Sequence, residues 1–288
     1  MGLFGKLFEK KECSICGGEI GLLGNRKLED GNMCKNCAAK LSPWFEDRRE
    51  STVEQINEQL AYREANKEKV AAFNTTRTLG RNTKVLLDED AGVFVVTSAR
   101  DLKEDNPDVL AFSDVTGCDL EIDEDEREIT RPDKDGKQIS YNPPRYKYSY
   151  DFYITIHVRN PYFDDIRFRL NSSSVEIEPP ARPPVGRPMG PGGVRARAEM
   201  NRPDVAAAVG RRMGGRTYFD PERDVDYRNY KEMGEEIREA LLCVRQQARD
   251  EKAAAEAPKA AVTCPYCGAT TTPDAAGCCE YCGGAVNG

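Results

Sequence analysis

The stretch Tyr146-Lys-Tyr-Ser-Tyr-Asp-Phe-Tyr-Ile-Thr-Ile-His-Val-Arg159 alternates along its length. Its even positions, Tyr146, Tyr148, Tyr150, Phe152, Ile154, Ile156 and Val158, are aromatic or aliphatic. Its odd positions are mostly polar: Lys147, Ser149, Asp151, Thr155, His157 and Arg159. Successive side chains of a strand point to opposite faces, so this pattern predicts one strand with a buried and a wet face. Asn160-Pro161 turns the chain, and Ile166, Phe168 and Leu170 alternate with Arg167 and Arg169 in a returning strand. A hairpin of this kind makes the sheet antiparallel. The phase puts His157 on the wet face, where a lone histidine is ordinarily a solvated surface residue.

The same period extends N-terminally. Residues 84–87 and 93–97 read as strands around the turn Asp88-Glu-Asp-Ala-Gly92, and 109–112 and 115–122 supply more strand. The acidic run Glu121-Ile-Asp-Glu-Asp-Glu-Arg-Glu128 lacks the spacing of a calcium loop. With Ile122 and Ile129 as strand ends, it is expected to form a solvated hairpin tip. Residues 74–178 carry 14 basic and 22 acidic groups, a balance of −8, which disfavours phosphate backbones and acidic lipids as partners of this region.

On the C-terminal side, residues 179–221 hold eight arginines, no lysine and three acids among many prolines and glycines. Such composition cannot bury enough apolar surface to order itself, and a flexible insertion is the favoured reading. The sharper one is an anion-binding arm formed by Arg187, Arg195, Arg197, Arg211, Arg212 and Arg216, with a short helix over 203–212. A longer helix is expected from Asp220-Pro221, an N-cap followed by proline. It carries Tyr227, Tyr230, Ile237, Leu241, Val244 and Ala248 on one side, with Cys243 as a small buried residue beside them.

Two cysteine sets flank this middle region. Cys13-Ser-Ile-Cys16 and Cys34-Lys-Asn-Cys37 have the spacing of a four-cysteine zinc site. Residues 20–28 read as a hairpin around Gly24-Asn25, followed by a helix from Ala38. Knuckle, hairpin, knuckle and helix is the order of a treble-clef-like module. Cys264-Pro-Tyr-Cys267-Gly and Cys279-Glu-Tyr-Cys282-Gly form the second set, a small zinc ribbon. Cys278 competes with Cys279, and Cys279 is chosen because it makes the second knuckle a near copy of the first. Thioredoxin-like redox chemistry would need a βαβ context that surrounds neither set. Both sites are expected to be structural, each zinc saturated by protein sulfur.

Between the first set and the sheet, Leu41-Ser-Pro-Trp44-Phe is expected to turn and anchor the chain's one tryptophan on the zinc module. Ser51-Thr-Val-Glu54 reads as a capping box. In the helix that follows, Val53, Ile56, Leu60, Val70 and Phe73 form the apolar stripe, and Glu58, Arg63, Lys67 and Glu68 the solvated side. At the N-terminus Leu3, Phe4, Leu7 and Phe8 stand at helical spacing among lysines. A capping segment is favoured there over a membrane contact. No export signal is read at this end, so the expected compartment is a reducing cytoplasm, with the membrane surface as a peripheral option.

A meandering antiparallel sheet closed by an amphipathic C-terminal helix resembles the pleckstrin-homology-like β-sandwich of many uncharacterised bacterial proteins. Cys13-Ser-Ile-Cys-Gly-Gly, Gly21-Leu-Leu-Gly-Asn-Arg-Lys-Leu-Glu-Asp-Gly31, Cys34-Lys-Asn-Cys37 and Leu41-Ser-Pro-Trp-Phe45 resemble a bacterial zinc-binding domain family of unknown function that often precedes such a sheet. The resemblance implies the four ligands and brings no activity. The expected class is α+β: a zinc-binding module at 1–48, a connecting helix at 49–75, an antiparallel β domain at 76–178, the insertion at 179–219, a helix packing on the sheet at 220–257 and a zinc ribbon at 258–288. The expected function is a non-catalytic interaction or scaffold protein holding two structural zinc ions. One histidine in the chain and the lack of a phosphate loop, serine elbow or open metal site argue against an enzyme and against a small-molecule substrate. The alternative is nucleic-acid binding through the ribbon and the arginine arm, although residues 260–288 hold no lysine or arginine.

Overall fold

In the computed structural model the tyrosine strand is the central member of a four-stranded antiparallel sheet. The structure describes residues 11–21, 23–179, 219–256, 261–274 and 277–286. The chain divides into two units, Met1–Val244 and Arg245–Gly288, each taken by itself below.

Four two-residue strands belong to the N-terminal module: β1 (Lys11–Glu12) pairs β2 (Glu19–Ile20), and β3 (Arg26–Lys27) pairs β4 (Asn32–Met33). The expected hairpin over 20–28 is therefore replaced by two separate ones. The Gly24 amide donates to the Gly21 carbonyl at 2.9 Å and only links them, while the true β3–β4 turn lies at 28–31. Met33 and Leu28 are fully buried there. Helix α1 (Lys35–Ala38) begins inside the second knuckle, with Cys34 as its N-cap.

Helix α2 (Val53–Ala72) is closed by a capping box of Thr52 and Gln55, one residue beyond the Ser51–Glu54 box expected from sequence. Ser51 is diverted inward, its hydroxyl donating to the Asp47 carbonyl, and Asp30 accepts from the Val53 amide at 2.8 Å. Ile56 and Val70 are buried as expected, but so are three polar residues outside the apolar stripe, Gln59, Arg63 and Asn66. Arg63, expected in solvent, is buried because Asp108, 45 residues further along the chain, meets it there.

The first sheet runs β5 (Arg77–Gly80), β6 (Lys84–Asp88), β7 (Val93–Thr97), β8 (Leu110–Ala111) in order, all antiparallel. Both faces of β6 and β7 are buried, including Val85, Leu86, Leu87, Phe94, Val95 and Val96. Leu86, Val95 and Val109 cluster with Val70 of α2 and with Phe73, the C-cap of that helix, which supplies one cover. Helix α3 (Leu102–Asp105) ends in Asn106 at φ 50°, a left-handed residue whose side chain is needed below.

In the second sheet β10 (Gln138–Val158) pairs β9 (Val115–Pro132) on one edge and β11 (Asp165–Arg169) and β12 (Val175–Ile177) on the other. The acidic run lies within β9 rather than at a tip, because each residue from 121 to 128 except Arg127 and Glu128 faces a β10 partner between Tyr148 and Tyr153, and those two face Lys147 and Tyr146. The turn is made by 133–137 instead, where Asp133 accepts from the Lys137 amide. Register rows Leu120–Ile154–Phe168 and Cys118–Ile156–Ile166 put the apolar residues on one face. Tyr148 through Val158 are buried on alternate positions, whereas Tyr146, at 37% exposure, lies beyond the reach of β12 and stays partly in solvent.

Helix α4 (Val225–Glu256) starts later than Asp220: Asp220 caps a separate 3-10 turn, Pro221–Arg223, and Asp224 accepts from the Asp226 and Tyr227 amides. Tyr227 meets the rings of Tyr150 and Phe152 edge-on at 4.9 and 5.2 Å. Gly234 has no room for a side chain, since a Cβ there would sit 2.5 Å from Leu120. Cys243 is exposed rather than buried, because the covered positions are Ala240, Leu241 and Val244. Among the described residues no helix is long and apolar enough to cross a membrane.

Candidate metal centres

A C-x-x-C pair presents two sulfurs to one point only if the backbone folds into a tight loop. In the first knuckle the Gly17 amide donates to the Cys13 carbonyl at 2.8 Å and the Cys13 amide to the Gly18 carbonyl at 2.9 Å. Gly17 sits at φ 70°, a conformation that disfavours a side chain. The second pair works differently: Cys34 caps α1, its sulfur accepting from the Cys37 amide at 3.4 Å. The Cys34 amide in turn donates to the Cys13 sulfur at 3.2 Å, stitching the two halves together.

The sulfurs of Cys13, Cys16, Cys34 and Cys37 all lie within 4.8 Å of one another. Cys16 and Cys34 are 3.8 Å apart. A metal bound to four sulfurs at about 2.3 Å in a tetrahedron separates them by about 3.8 Å, whereas a disulfide holds them at about 2 Å. The spacing fits a metal. Burial works to raise the Cys13 thiol, but the amides of Cys16, Cys34 and Ile15 lower it to about 6. Burial and the neighbouring thiols push Cys37 upward. Around the cluster Cys13, Ile20, Leu28, Met33, Cys37, Leu41 and Ile56 form a small core, with Phe45 and Val53 against it. Phe45, rather than the expected Trp44, is the aromatic packed against this core, although both side chains are half-buried.

The second unit repeats the knuckle twice. Gly268 and Gly283, at φ 71° and 69°, donate to the carbonyls of Cys264 and Cys279. The pseudo-symmetry expected from sequence is present, and it places Cys279 in the four-sulfur group. Cys264, Cys267, Cys279 and Cys282 lie within 4.8 Å of one another. Cys264–Cys282 and Cys267–Cys279 are 3.5 and 3.7 Å apart. Cys278 instead bridges to Ala285, with its amide on Asp274. Burial opposes ionisation of Cys264, and the amides of Cys267 and Tyr266 prevail to set it at about 7. Tyr266 and Tyr281, one per knuckle, are 73% and 72% exposed.

The remaining predicted residues divide. Arg187, Arg195, Arg197, Arg211, Arg212 and Arg216, the helix over 203–212, and Leu3, Phe4, Leu7 and Phe8 lie outside the described residues. His157 is on the wet face as expected, but it is clamped: Nδ1 lies 2.5 Å from Asp165 and Nε2 2.9 Å from Asp119. A neutral imidazole donates one hydrogen bond and the imidazolium two, so hydrogen bonds to Asp165 and Asp119 raise its pKa above 6.5. A group with a raised folded pKa stabilises fully below its unfolded value, and the contribution is lost as pH rises through the folded value. His157→Gln is therefore expected to lower the melting temperature by about 2 °C in mild acid and by less above neutrality. Equal losses at both pH values would show that the clamp carries no proton.

Hydropathy and motif spacing miss the polar seam that ties the module to the first sheet. Asp108, buried among α2 residues, accepts from Ser42 Oγ at 2.7 Å and from Arg63 at 2.9 Å. Asn66 donates to Asn106 and the Pro107 carbonyl and accepts from the Val109 amide, while Asn106 donates to the Arg63 carbonyl. The one signal in the sequence is the i, i+4, i+7 spacing of Gln59, Arg63 and Asn66 in register with Ile56 and Val70.

Residues 11–59 match the model of a Domain of unknown function (DUF4428), a stretch that covers the first cysteine group and the beginning of α2. No curated protein and no solved structure matches the chain.

Proposed function

We propose that the chain is a non-catalytic zinc protein that serves as an interaction scaffold in a reducing compartment. The observation that carries this reading is the composition of the two metal groups: four sulfurs each, close to a tetrahedral edge, leaving no ligand position for water or substrate. Zinc bound there would link segments whose own cores are small. In this reading the N-terminal module, knuckle followed by helix N-terminus, is treble-clef-like, the two sheets with α4 are pleckstrin-homology-like, and the C-terminal unit is a zinc ribbon. None of these folds implies a ligand by itself.

Metal analysis of the purified chain, joined to affinity capture from the native host, tests the proposal. Two zinc ions per chain and a protein partner retained after nuclease treatment support it. One ion or none overturns the structural-zinc half. Capture abolished by nuclease overturns the other half in favour of nucleic-acid binding, a reading that the absence of lysine and arginine from residues 260–288 disfavours.

A further inference from the structure

Between residues 44–58 and the β10–β11 turn lies a cleft of about 850 Å³, within the range of ligand-binding cavities. One wall is the chain that leaves the first metal module, Trp44, Phe45 and Glu46 onward. The other is Asn160 to Asp165 with Thr155 and Arg167 of the sheet. The surroundings of Tyr162 are aromatic: its ring lies 5.1 Å from Tyr62 and 6.4 Å from Phe45, and Tyr62 is fixed by Asn160 at 3.0 Å. Trp44, Phe45 and Tyr162 are each only half-buried, so ring surface remains open in the cleft.

The rim is one-sided in charge. Glu46, Asp47, Glu50, Glu58, Asp164 and Asp165 face a single basic residue, Arg167. Arg167 is already committed, paired with Glu121 and stacked 4.3 Å over Tyr153. Asp165 is held by His157, whereas Glu46, Glu50, Glu58 and Asp164 form no ion pair among the described residues. Carboxylates on a flat face would merely be solvated. These surround a concave space with aromatic walls, an arrangement that attracts a cation over the rings and pairs it at the rim.

We propose that this cleft binds arginine side chains of a basic peptide presented by a partner protein. The proposal rests on the scaffold reading above and names the partner's chemistry. Arginine fits better than lysine because a planar guanidinium stacks on aromatic rings while its edge pairs bidentately with carboxylates. The sign of the rim excludes phosphate backbones and anionic lipid as occupants. Phe45 belongs to the packing of the first metal cluster, so the matched domain of residues 11–59 would supply one half of a peptide site.

The chain's one tryptophan, Trp44, lines the cleft and reports on it directly. The full-length zinc-loaded chain is titrated with a blocked glycine-spaced peptide carrying three arginines, by Trp44 fluorescence and calorimetry. Expected are saturable binding that weakens with salt, weaker binding of the lysine version and none of the glutamate version. The pair Glu58→Gln and Asp164→Asn, in exposed side chains, should weaken affinity about tenfold with zinc content unchanged. Trp44→Phe should keep the heat and lose the fluorescence change.

No binding at low salt, or binding indifferent to the double substitution, overturns the proposal. So does a peptide that binds only after Arg187, Arg195, Arg197, Arg211, Arg212 and Arg216 are changed to glutamine, since the chain's own arginines would then be the occupant. Such failures leave the scaffold reading standing if zinc content and nuclease-resistant capture hold. Loss of those two results with peptide binding intact would sink the scaffold reading alone.

Discussion

Replacing Cys37 by serine is expected to cost the chain one of the two zinc ions proposed above and to unfold residues 11–41 while leaving both sheets folded. Cys37 is 5% exposed and is at once a ligand candidate and a core residue. The core it belongs to has seven buried members, two of them cysteines of the candidate metal site, too few to hold the segment without a metal. Metal binding to such a module is its folding free energy, on the order of 10–16 kcal/mol for isolated zinc modules. Hydrogen exchange should show amides 11–41 losing protection, Val53 losing its Asp30 cap, and the β6, β7 and β10 amides keeping theirs. Cys282→Ser should do the same to residues 261–286 and spare the N-terminal module. Preserved protection over 11–41 after loss of the ion would show that the sulfurs are not what holds it.

Asp108→Ala is expected to be the most damaging single change away from the cysteines. Asp108 and Arg63 are 1% and 8% exposed at their side chains and lie 2.9 Å apart. Removing the carboxylate strands a buried guanidinium, left with the Lys40 carbonyl at 3.3 Å, and deprives Ser42 of its acceptor. Breaking a buried pair in this way costs about 3–5 kcal/mol, a fall in melting temperature of roughly 10 °C for a domain of this size. The double change Arg63→Met with Asp108→Leu should recover most of that, because no charge is then left unpaired. A thermodynamic cycle over the four proteins measures the coupling; a single-mutant cost under about 1 kcal/mol would place this pair with surface salt bridges.

Local determinants are the ones that can be read in the sequence. The β10 phase follows from residues two apart, so alternation alone identifies the buried set from Tyr148 to Val158, and only Tyr146 departs because β12 ends short of it. The cysteine groups are legible because a C-x-x-C pair is a local device, in three of the four pairs with its own following glycine, and the same device places Cys279 rather than Cys278 in the second group. Interactions over long separations are hidden. Arg63 meets a partner 45 residues away, and Asn66 one that is 43 away, so each looks like an ordinary solvated helix residue. The misplaced capping box has a local origin instead: Ser51 and Thr52 are equally suited in isolation, and the Asp47 carbonyl, four residues back, takes Ser51 out of competition. The cleft beside Trp44 joins residues more than 100 positions apart and leaves no trace in spacing.

The acidic strand β9 has a consequence for how copies of this chain treat each other. Among the described residues its outer edge pairs with nothing, and open edges recruit strands from other molecules. A second β9 laid antiparallel against the first about Asp125 and Glu126 would set Asp123 opposite Glu128 and Asp125 opposite Glu126 in both copies, with Arg127 opposite Glu124. Like charges directly opposite across two strands repel. The density of carboxylate that tells nothing about a ligand thus works against edge-to-edge pairing of this ribbon between copies, and only while those carboxylates are ionised.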